Sequence, residues 1–164
     1  MQRKLLAIYM NDHLAGATVG VALVRRSAES NRENATFGAP LRQLAGEIQE
    51  DRESLLGIMR ELEITTDPVK GLLAWVAEKA GRLKLNGHLL SYSPLSRLDE
   101  LEFLALGVSG KRALWHSLRL LSPAEPRLHE EQLGELIERA ESQLERIETC
   151  RRLAVTEAFN PSVP

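Results

Sequence analysis

The sequence predicts an all-helical bundle, and three observations carry that reading. Apolar residues recur at spacings of three and four over long stretches. The breaks between these stretches are made of helix-stop and helix-start residues. The apolar content is mainly Leu, Ala, Ile and Val, with only three Phe, two Trp and two Tyr. At 164 residues, with 43% hydrophobic and 27% charged residues, the chain has the length and composition of one globular domain and not of a disordered one.

The first helical segment is expected from about Arg3 to Ser30, with a seam of Leu5, Tyr9, Asp12, Gly16, Val19 and Leu23. Ser30 to Gly38 is polar and aperiodic and reads as a loop. Pro40 suits a first helical turn, and the second segment runs on to about Glu63. Its seam is Leu41, Leu44, Ile48, Asp51, Leu55, Ile58 and Leu62. Asp67-Pro68 restarts a shorter helix to about Leu85, where Asn86-Gly87 stops it. Ser93-Pro94 opens the third long segment, which reaches Leu121. Ser122 and Glu125 have the spacing of a capping box, so the fourth segment is expected from there to about Ala158, with Leu133, Ile137, Ala140, Leu144 and Ile147 on its seam. Residues 1–159 form the domain, and 160–164 read as a frayed tail.

Short links within the first and last pairs of long segments predict two antiparallel hairpins. The connection between them is long enough to carry the chain from one end of a bundle to the other.

A net charge of −2 offers no electrostatic case for nucleic acid. Lys79, Arg82 and Lys84 read as a solvated helix end. The lone Cys150 excludes an intrachain disulfide and fits a reducing cytosol. The apolar run Ala15–Val24 is too short for a membrane span, and Asn11, Asp12 and His13 break the stretch before it. The expectation is a cytoplasmic protein.

Asp12 and Asp51 stand out, because a carboxylate on a core seam is costly unless paired, hydrogen-bonded or metal-bound. Asp12 or His13, Asp51 with Glu47, Glu102, and Glu141 or Glu145 are the inward candidates, one set per long helix. Hard oxygen donors of this kind suit iron, manganese, calcium or magnesium. Counted from the first loop at about 1.5 Å per residue, Asp12 and Asp51 miss a common level by roughly 10 Å. Glu102 comes level with Glu141 and Glu145. Arg112 and Arg151 lie on the inner seams, after Leu101, Ala105 and Val108 and after Leu144 and Ile147, and would neutralise buried acids without any metal. Ion pairing is preferred to metal binding.

Gly16-x-x-x-Gly20, with Ala15 and Ala17, makes one helix face small. Tight packing inside the bundle is the expected reason, and a dimer interface is the functional alternative. Tyr9 and Trp115 read as core. No serine has a local nucleophile signature, and no glycine-rich phosphate loop is present.

The order of the long helices and the crossover resembles the ferritin-like superfamily. The resemblance implies a four-helix bundle with an extra short helix in the crossover. It also implies a carboxylate centre whose Glu-x-x-His motifs are missing here: Met10, Leu85, Ala113 and Pro126 stand three residues before the four histidines. The expectation is a non-enzymatic association module, a homodimer without cofactor. The alternatives are a carboxylate-bridged iron or manganese protein with Asp12, Asp51, Glu102, Glu141 and Glu145 as ligands, and a small apolar ligand held between helices.

Overall fold

The computed structural model describes residues 2–67 and 92–160, and these form four long helices. They are α1 (Arg3–Ser30), α2 (Gly38–Glu61), α3 (Pro94–Leu121) and α4 (Glu130–Phe159), with a short 3-10 turn at Ser122–Ala124. No strand occurs among the described residues. The short helix expected after Pro68 and most of the C-terminal tail lie outside them.

The helix ends follow local chemistry. Ser93 caps α3, its hydroxyl accepting from the Ser96 N–H at 3.1 Å, and Pro94 fills the first turn. In the α1–α2 loop the Asn34 carboxamide oxygen accepts from the N–H groups of Thr36 and Phe37. At the end of α2, Glu63 takes a left-handed φ of 55°. Ile64 N–H then reaches the Met59 carbonyl at 2.8 Å, and Glu63 N–H reaches that of Arg60 at 3.0 Å, which together complete a Schellman stop.

The capping box at Ser122 does not form, and α4 begins seven residues later than expected, at Glu130 with His129 in the N-cap position. Pro126 explains this. A helix capped at Ser122 would need an N–H from residue 126, and the proline ring would strike the carbonyl one turn back. The Ser122 hydroxyl donates backwards to the Arg119 carbonyl, and Glu125 pairs with Arg127.

Side-chain contacts give the helix directions. Arg25 to Gln49 and Arg52 to Thr18 set α1 against α2, and Arg119 to Glu130 and Arg97 to Glu157 set α3 against α4. Both hairpins are therefore antiparallel. Tyr9 to Ser117 and Arg26 to Glu100 make α1 and α3 antiparallel as well, and Glu47 to Arg146 with Glu50 to Arg139 does the same for α2 and α4. Around the ring the order is α1, α2, α4, α3, so α2 and α3 are diagonal and run the same way. Asp67 lies beside Asn11, and Tyr92 beside Asn31 towards the other end of α1.

The α2 seam is buried as expected, Asp51 included. The α1 seam is not. Its buried residues are Leu6, Met10, Leu14, Val21, Val24, Ser27 and Ala28, while Leu5 is 59% exposed. Both series are apolar enough to face a core. The observed one keeps Asp12 and Gly16 outside, which avoids desolvating a carboxylate.

Candidate functional site

Asp51 is the one candidate acid that the fold buries, at 1% exposure, and three side chains hold it. Lys111 on α3 donates its Nζ to Oδ2 and also to the Gln143 carboxamide oxygen. Gln143 on α4 donates its Nε2 to the same Oδ2 at 3.0 Å. Arg139, one turn earlier on α4, brings its guanidinium 2.5 Å from Oδ1 as an ion pair without hydrogen-bond geometry. A carboxylate between two cations and an amide donor recovers much of what it loses on leaving water.

This centre belongs to a wider polar seam between α2 and α4. Glu47 is gripped by both guanidinium nitrogens of Arg146, and Glu50 lies 3.4 Å from Arg139. Burial pushes the Glu47 carboxyl up, but the Arg146, Gln43 and Gln143 hydrogen bonds outweigh it and hold the group below its ordinary range. Glu47, Glu50 and Asp51 thus face Lys111, Arg139 and Arg146, and the formal charges balance.

The other proposed ligands do not join this buried centre. Asp12, Glu102, Glu141 and Glu145 are exposed, and of these Asp12 lines the same hollow as Asp51. Arg112 meets Glu141 at 3.9 Å and Arg151 meets Glu102 at 4.0 Å, so the expected pairings form at the surface and are loose. Arg151 is held more closely by Glu148, at 2.7 Å. Among the described residues no group of three or more His, Cys, Asp or Glu side chains is arranged to hold a metal. The donor set that iron or manganese would need is not assembled there.

Gly16 and Gly20 also differ from expectation. A Cβ added at either would meet nothing within 4 Å, so no neighbouring backbone closes on them. Gly16 comes level with Gly110, and Gly20 with Leu106, in the antiparallel α1–α3 register. Glycines on both helices thus meet at the waist of this pair and leave a half-open hollow of about 460 Å³. Gly16, Ala17, Gly20, Gly107 and Gly110 wall it, Phe103 and Leu106 form its rim, and Leu55, Leu104 and Trp115 line it deeper in. Lys111 and Asp51 reach it from below, while Tyr9, Asp12 and His13 stand along one side. Burial lowers the His13 pKa against the opposing pull of Asp12, and the imidazole stacks edge-on with Tyr9 at 4.6 Å.

A second polar network closes the end of the bundle where α1 stops. Arg97, 8% exposed, donates to Asn31 at 2.6 Å, pairs with Glu157 and lies 4.3 Å over the Phe37 ring. Asn31 donates to the Tyr92 hydroxyl, which donates to Glu100, and Arg26 pairs with Glu100 at 2.8 Å. The sequence reading missed Asn31, Arg97 and Glu100 because all of these partners but the Tyr92–Glu100 pair lie sixty or more residues apart.

Lys111 and Gln143 carried a readable signal. Leu101, Leu104, Val108, Lys111, Trp115 and Leu118 follow one three-four seam, as do Ala140, Gln143, Ile147, Cys150 and Ala154. The choice of Arg112 and Glu141 picked their outward neighbours instead. Arg139 stands among the charged residues Glu138, Glu141 and Glu145 of α4, half-buried, and its length lets it reach inward to Asp51.

No protein family, no curated protein and no solved structure matches this chain. No helix among the described residues is long and apolar enough to cross a membrane.

Proposed function

We propose that the chain is a non-enzymatic association module on a degenerate ferritin-like bundle, working in the cytoplasm as a homodimer through its α1–α3 face. One observation carries this reading. Of the eight large hydrophobics exposed among the described residues, Leu5, Ile8, Leu95, Phe103, Leu106 and Leu120 all lie on α1 and α3. The α2–α4 side, in contrast, is charged. Apolar surface gathered on one side of a small bundle marks an interaction face.

A second copy suits that face because ridge and groove lie side by side. Phe103 and Leu106 of one protomer would pack against the same ridge of its partner, beside the glycine-walled hollows and not in them, and a two-fold axis would repeat the contact. The up-down-down-up order of the helices, with its long crossover, supports the ferritin-like part of the reading.

Native mass at micromolar concentration tests the proposal. The wild type should be dimeric, and Phe103→Glu with Leu106→Glu should give a monomer of unchanged helical content. A monomeric wild type would end the homodimer reading.

A further inference from the structure

We propose that Lys111 is a covalent attachment site for small apolar aldehydes, which enter the α1–α3 hollow and condense with Nζ to leave an iminium paired with Asp51. Three features of the site argue for this. The hollow, about 460 Å³, falls within the size range of small-molecule pockets, and its walls are mostly glycine and apolar side chains, with Tyr9, Asp12, His13 and Arg52 also lining it. Lys111 is the one amine among the residues lining it, with 14% of its side chain exposed. Asp51 is already fixed beside Nζ by Arg139 and Gln143, so a counter-ion is in place before any ligand arrives.

The surroundings also favour the amine as a nucleophile. Burial lowers the Lys111 pKa, Asp51 and more weakly Glu47 oppose that shift, and the Arg139 guanidinium adds to it. Desolvation and a neighbouring cation are the two devices that activate lysines towards carbonyl compounds.

The chemistry balances within the site. Asp51 Oδ2 takes one proton from the ammonium, and the freed lone pair attacks the aldehyde carbon. The C=O bond is replaced by C=N, and the oxygen departs as water with two of the three ammonium protons, one returned by Asp51. The nitrogen keeps one proton and its positive charge, so the ion pair with Asp51 is retained. Nothing is oxidised or reduced.

The test treats the full chain with limiting 3-phenylpropanal, reduces any imine with borohydride and maps the adduct by peptide mass. Lys111 should be labelled about tenfold or more faster than the exposed Lys4, which serves as the unactivated amine in the same molecule. Gly107→Leu and Gly16→Leu each place a side chain in open space and should slow labelling at Lys111 while leaving Lys4 unchanged. Helical content is checked for both variants. Labelling at Lys111 no faster than at Lys4 would overturn the proposal, as would equal labelling in either well-folded variant. Native mass on the same samples separates the two readings. A monomer labelled at Lys111 keeps the attachment site and ends the dimer, and an unlabelled dimer does the reverse.

Discussion

Lys111 and Asp51 meet across the diagonal of the bundle and tie together α2 and α3, two helices that are not neighbours in the ring. The contact passes beneath the α1–α3 hollow, so one ion pair both spans the core and forms part of a cavity floor.

Removing the carboxylate should therefore be costly. Asp51→Ala leaves Lys111 and Arg139 without their shared counter-ion, and breaking a buried pair in this way costs about 3–5 kcal/mol. Urea unfolding would show it, and a midpoint equal to that of the wild type would contradict the account. Converting Asp51 to Leu and Lys111 to Met together should recover part of the loss, because neither charge is then stranded.

Glycine substitutions should split by position. Gly16→Ala meets no neighbour and gains helix propensity, so it should stabilise the monomeric fold by about 0.5–1 kcal/mol. Gly38→Ala should do the opposite, because its Cβ would sit 2.8 Å from the Asn31 carbonyl oxygen and 3.0 Å from that of Arg32. Both contacts are backbone, and the loop must shift to relieve them. Thermal melts of the two variants side by side decide the matter.

Acid should weaken the pairs of Glu125 and Glu148 in a defined window. The Arg127 hydrogen bonds hold Glu125 at a pKa of about 2, down from 4.5, and those of Arg151 and Arg152 do the same for Glu148. A carboxyl depressed in the folded state binds protons more readily once unfolded, so its contribution is complete above the unfolded value. It is lost as the pH falls from about 4.5 towards 2. Arg127→Ala should move the acid-unfolding midpoint to higher pH, and an unmoved midpoint would remove Glu125 from the explanation.

Arg97 should matter more than its place near the start of a helix suggests. Arg97→Ala removes the hydrogen bond to buried Asn31, the pair with Glu157 and the cover over Phe37 at once. A loss of about 2–4 kcal/mol is expected from an unpaired buried amide and lost packing together. Arg97→Lys should rescue little of it, because one ammonium cannot reproduce the planar guanidinium contacts.

The helices and their directions were legible in the sequence because punctuation and periodicity agree. Ser93-Pro94 and the α2 seam show this most plainly. Asp51 was legible as a buried acid for the same reason, since every neighbour on its seam is apolar. Its partners were harder. Lys111 and Gln143 sit on apolar seams too, but Arg112 and Glu141, one and two positions away, carry charges that make an equally plausible pair. The α1 seam was misread because two apolar series run along that helix. Only the packing of α1 against both α2 and α3 selects between them.

The alternation of helix direction around the ring has an electrostatic outcome. Each helix end carries roughly half a unit of charge, positive at the start and negative at the finish. With every neighbour reversed, each positive end lies beside two negative ones, and the partial charges offset one another at both ends of the barrel. That arrangement accounts for how sparsely the starts are capped. Ser93 alone supplies a side-chain cap among the four long helices, while Gln2, Phe37 and His129 supply none. The fold itself supplies the opposite charge that a capping side chain would otherwise bring.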